Sequence, residues 1–104
     1  MKTSRRRHIL FQIHCSEKIS EGDWIVQTIR ENLHSLFGEI VVADSKLYLE
    51  EYLESTGKGI LQCEADVLRQ VLASAALVNE IGKREVSFQP LKTSGTLKTL
   101  QSKL

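Results

Sequence analysis

Cysteine is scarce in this chain, with only Cys15 and Cys63 among 104 residues. Two cysteines allow one disulfide at most, whereas a secreted framework of this size uses more, so a reduced, intracellular protein is expected. No apolar run approaches the roughly 20 residues that cross a bilayer. The basic N-terminal cluster leads into an alternating segment rather than a signal-peptide core, so no membrane is expected among the partners. Catalytic equipment is missing too: there is no Gly-rich nucleotide loop, no paired-carboxylate motif and no nucleophile with a base. His8, His14 and His34, taken with the cysteines, match neither C-x-x-C nor H-x-x-x-H spacing, so no metal is expected on the protein. Glu50, Glu51 and Glu54 read as a solvated charge run beside a turn. Aromatic residues make up only 6% of the chain. None falls in the segment Gly59-Ile60-Leu61-Gln62-Cys63, so base stacking across a sheet is not expected. The chain by itself reads as non-catalytic.

What is present suffices for one domain with one core. Apolar content of 41% with 26% charged residues is too hydrophobic for disorder. The formal net charge of +1 hides a strong segregation. Lys2, Arg5, Arg6 and Arg7 give the first eight residues +4, and Lys92, Lys98 and Lys103 give residues 91–104 +3, leaving −6 in between. Cationic ends on an acidic middle point to a polyanionic partner.

Ile9, Phe11, Ile13 and Cys15 alternate with His8, Leu10, Gln12 and His14, the pattern of a strand with one core face. Ser20, followed by Asp23, opens a helix carried by Ile25, Ile29, Leu33, Leu36 and Phe37 and stopped by Gly38. Trp24, in its first turn, is expected to be core or partly exposed for a partner. From Ile40 to about Leu53 the pattern predicts an interrupted strand. A turn at 55–59 then joins it to a third strand at 60–63. A second helix follows through Val67, Leu68, Val71, Leu72, Ala75, Val78 and Ile81, with Gly82 as its C-cap. Residues 85–91 predict a fourth strand, where Pro90 argues for an edge or a last turn. A tail helix begins at about Ser94.

The order β-α-β-β-α-β plus a C-terminal helix predicts an α+β, ferredoxin-like or RNA-recognition-like sandwich, with helices on one face of an antiparallel sheet. The expected domain layout is a basic N-terminal arm at 1–7 and a single domain at 8–104. In the spatial order 4-1-3-2 the start of the first strand lies beside the end of the fourth. Arg5, Arg6 and Arg7 are then brought next to Lys92, Ser94, Gly95, Thr96 and Lys98, making one anion-receptive corner. The bland readings are a solvated terminus for the arginines and a simple helix cap for Ser94. The same order separates Cys15 from Cys63, so both thiols are expected to be free.

The segments Arg6-Arg7-His8-Ile9-Leu10-Phe11, Leu36-Phe37-Gly38, Gly57-Lys58-Gly59-Ile60 leading into Cys63-Glu64, the alanine-rich second helix, and Ser94-Gly95-Thr96-Leu97-Lys98 are informative together. With them the chain resembles the archaeal and eukaryotic ribonuclease P protein component 2 family, from about residue 5 to the end and closer to archaeal members. The resemblance implies a non-catalytic, RNA-binding subunit of the ribonucleoprotein that removes 5′ leaders from precursor tRNA. Catalysis is then expected from the RNA and its magnesium ions, with no cofactor on the protein. The implied partners are ribonuclease P RNA, a larger TIM-barrel-like subunit and other ribonuclease P proteins, with a homodimer left open. The implied location is cytoplasmic, or nuclear and nucleolar for a eukaryotic source. The last helix departs from the family pattern, being shorter and less basic, which implies that RNA contact depends on the assembled particle. The alternative reading is a ferredoxin-like protein-interaction module without direct RNA contact.

Overall fold

Alternation over eight residues drives the first strand into the middle of a sheet, where both neighbours satisfy its backbone. In the computed structural model, which describes residues 5–19 and 21–104, β1 (Arg6–Cys15) is that middle strand. Lys2 and Ser20, called on above for the basic arm and the helix cap, lie outside the described residues. The chain continues through α1 (Gly22–Phe37), α2 (Glu39–Ser45), β2 (Tyr48–Leu53) and β3 (Lys58–Glu64). A 3-10 turn leads to α3 (Leu68–Ala76), β4 (Glu80–Ile81), β5 (Arg84–Ser94) and α4 (Leu97–Gln101). The architecture is mixed α+β, with the sheet ordered β2-β3-β1-β5-β4. β1 runs antiparallel to both β3 and β5. The four long strands therefore take the expected spatial order. β1 starts at Arg6, so Arg6 and Arg7 belong to the ladder rather than to a separate arm at 1–7.

Ile9, Phe11 and Ile13 face α1 and α3 and pack with Ile25, Ile29, Leu33, Leu61, Val71 and Ala75 in the main core. Phe11 is fully buried and stacks on Phe88 with ring centroids 4.8 Å apart. The other face of β1 is not simply polar, and helices do not lie on one face alone. Leu10 is buried with Ile60 beneath Leu100 of α4, with Leu97 and Leu104 alongside. Alternation predicted which residues share a face, but the tail helix covers the second face at one end.

Three element boundaries differ from the sequence expectation. Ile40, Val41 and Val42 lie in the helix α2, not in an interrupted strand. Gly38, at φ +90°, breaks α1 after its N–H bonds the His34 carbonyl at 2.9 Å, and the chain re-enters helix at once. Val41 and Val42 pack on the core while Ile40 is exposed, so tertiary placement overrides the β-propensity of the triplet. The second predicted helix ends at Ala76, well before Ile81, and Gly82 is not its C-cap. Instead Ile81 pairs with Arg84 across a two-residue turn in which Gly82 and Lys83 both have positive φ, +56° and +68°. That is the hairpin turn whose twist suits flanking strands. The tail helix begins at Leu97 rather than Ser94, with Ser94 closing β5. Pro90 lies within β5 opposite Phe11, next to a bulge. Because β4 reaches only Glu85, that stretch of β5 is a free edge that tolerates a missing N–H.

Candidate nucleic-acid interface

The β1–β5 register builds the candidate site. His8 pairs with Ser94 and Leu10 with Lys92, so the start of β1 meets the end of β5. Arg6 and Arg7 therefore sit alongside the turn that leaves β5. A β-carbon added at Gly95 would lie 3.4 Å from a guanidinium nitrogen of Arg7. Arg5, Arg6, Lys92 and Lys98 are exposed and Arg7 is half-buried. Among the described residues none of these five cations forms an ion pair. Arg7 instead donates to the Arg6 carbonyl at 3.1 Å. Sequence-distant cations thus lie toward one end of the β1–β5 pair, without an ion pair among the described residues. Glu64, the cross-strand neighbour of Arg6 and 4.0 Å from Lys46, borders the corner on the β3 side.

The turn itself is built from hydroxyls. Ser94 Oγ accepts the Thr96 N–H at 3.2 Å, and Thr96 Oγ1 lies 2.6 Å from Thr99 Oγ1. Ser94 therefore folds the turn, and Thr96 takes the N-cap position of α4 without a side-chain cap bond. With five residues, α4 carries little macrodipole, and one amide at its start is already taken. The anion-facing chemistry here is guanidinium, ammonium and hydroxyl groups rather than a helix N-terminus.

One feature escaped the sequence reading. His8 and Glu50, assigned to a polar face and a solvated run, are buried together with Nδ1 3.1 Å from Glu50 Oε1. Among the described residues that ring nitrogen has no hydrogen-bond partner, so the two groups touch without a hydrogen bond between them. Glu50 lies at a β2–β3 register shift between Leu49 and Glu51, a backbone detail with no signal in the residues. His14 instead contacts Gln89 Oε1 through Nε2 at 2.7 Å. Cys15 and Cys63 are both free thiols. Burial, and then the Glu64 charge, push the Cys63 thiol up to about 11. Among the described residues no group of three or more His, Cys, Asp or Glu is arranged to hold a metal ion. No described helix is long and apolar enough to cross a membrane.

These features define a small α+β protein presenting a cationic corner at one end of its sheet. The Rpp14/Pop5 family model matches residues 7–104. "Ribonuclease P protein component 2" of Pyrococcus furiosus is 30% identical over 95% of this chain and 82% of its own. The protein of the same name from Methanosarcina mazei is 28% identical over 96% and 84%. A chain in the cryo-EM structure of yeast ribonuclease MRP superposes with a TM-score of 0.67 at 11% identity, covering 93% of this chain and 79% of that one. That last likeness concerns the fold. The chain belongs to the Rpp14/Pop5 family, the ribonuclease P protein component 2 family.

Proposed function

We propose that this chain is a non-catalytic, RNA-contacting subunit of ribonuclease P, aiding 5′-leader removal from precursor tRNA by stabilising the catalytic RNA. The observation that supports the reading is the register that sets the start of β1, which carries Arg6 and Arg7, against the end of β5, which carries Lys92 and Ser94; Arg5, Gly95, Thr96 and Lys98 complete the proposed contact. Unpaired guanidinium groups suit phosphate oxygens, and each neutralised phosphate releases counterions. The frame is a ferredoxin-like, RNA-recognition-like plan with β4 and an outer α4 added. On this reading the magnesium ions belong to the RNA, and a larger TIM-barrel-like subunit and other ribonuclease P proteins share the particle.

Photo-crosslinking of the tagged chain in its native source, followed by sequencing of the attached RNA, tests the reading. Ribonuclease P RNA crosslinked within residues 5–7 and 92–98 is the expected result. Recovery of protein partners with no RNA crosslinked to this corner would refute it and favour the protein-interaction module. A specific observation favours that second reading: Leu36, Phe37 and Ile40 are exposed together at the α1–α2 corner, Ile40 to 77%.

A further inference from the structure

We propose that the free edge of β2, with the groove beside it along α1, receives an extended basic segment of another protein as an added strand. Among the described residues β2 is the outermost strand, paired with β3 on one side only, so its other row of backbone donors and acceptors meets no described strand. Beside it lies a groove of about 450 Å³, walled by Val26, Gln27 and Arg30 of α1 and by Leu47, Tyr48 and Leu49. Gln27 and Arg30 also line a second hollow of about 310 Å³ that carries the groove on toward His34 and Val42. A strand laid along β2 sends every second side chain to the α1 side of the sheet, and the groove has room for them. Tyr48, 59% exposed, stands where the first of the outward-facing side chains would pass.

Charge selects the occupant. Asp23 and Glu31 line the groove and its continuation, Glu54 stands just beyond the strand, and Glu51, within it, accepts from Gln101 Nε2 of α4 at 3.4 Å. The arginine lining it, Arg30, is turned inward to Gln27 Oε1 at 3.0 Å and the Leu47 carbonyl at 3.1 Å. A basic segment complements this edge. A second copy does not, because two β2 edges pairing antiparallel would set Glu51 and Glu54 of one chain against those of the other. A nucleic acid strand meets the same repulsion. The proposal is independent of the role of the arginine corner.

The test uses the full chain and three synthetic heptapeptides: an alternating lysine–valine strand, its glutamate–valine counterpart, and the lysine–valine strand interrupted by a central proline. Amide hydrogen exchange across Tyr48–Leu53 is the readout. The lysine–valine peptide is expected to slow exchange of the outward β2 amides and to bind about tenfold more weakly to the E51K/E54K double variant. The glutamate peptide should have no effect, and the proline peptide should lose the protection despite its equal charge. Equal protection by the proline peptide would reduce the contact to nonspecific charge and overturn the proposal. Protection arising instead from self-association through β2, or from an RNA oligonucleotide at the same amides, would overturn it as well.

Discussion

Replacing Arg5, Arg6 and Arg7 together with alanine is the sharpest perturbation of the cationic corner. Five cations converge there without ion-pair partners among the described residues. If each neutralises one phosphate, log K falls against log salt with a slope of about −3.5 to −4.5, spanning single-stranded and duplex values. Raising salt from about 50 to about 200 mM should then weaken binding roughly 100- to 500-fold. The triple variant keeps only Lys92 and Lys98, which lowers the slope to about −1.4 to −1.8 and the loss to roughly 7- to 12-fold. Arg5 and Arg6 are exposed and Arg7 is half-buried, so unfolding is not the expected cause. The assay is filter binding of reconstituted particles to ribonuclease P RNA across a salt series, with circular dichroism confirming the fold. A triple variant with the parental slope would refute the reasoning, because phosphate neutralisation cannot be removed without changing it.

Gly82→Ala should destabilise the protein by about 1–3 kcal/mol in urea melts. The residue sits at φ +56°, and an added β-carbon would run into the Trp24 ring. Combining it with Trp24→Ala should cost less than the sum of the two single changes. Leu100→Ala removes the one fully buried side chain of α4 and should cost about 2 kcal/mol, with faster amide exchange at Leu10 and Ile60 under the helix. Because Cys63 titrates at about 11 when folded against 9.0 when free, its neutral form favours the native state. Stability from this group is complete below about pH 9 and declines as pH rises toward about 11, a loss that Cys63→Ala should abolish in pH-dependent melts. Cys15, half-exposed, should react with a thiol reagent at neutral pH much faster than Cys63.

The parts of the fold that could be read from residues were those with a clear period. Ile9, Phe11 and Ile13 announced β1, and Ile25, Ile29 and Leu33 announced α1. Ile40-Val41-Val42 misled because three β-branched or strand-favouring residues carry no period of their own. Only the break at Gly38 and the packing of Val41 and Val42 make them helical. Ile81 looked helical by spacing, yet the positive φ at both Gly82 and Lys83 makes a hairpin, and Lys83 gives no warning of that. At the site, charge counting and strand order together placed the arginines beside Lys92 and Ser94; the register pairs the next residues of β1, His8 with Ser94 and Leu10 with Lys92. The burial of His8 against Glu50 was out of reach, since it depends on a register shift and on a tail helix packing over the opposite face.

Arg6 and Arg7 belong to the central strand of the sheet, laddered on both sides a residue or two further in. Clamps borne on floppy tails must be frozen when they grip, and that ordering subtracts from their hold. Here the stiffness was supplied when the polypeptide folded, so in the proposed phosphate contact the backbone that bears Arg6 and Arg7 needs no further ordering.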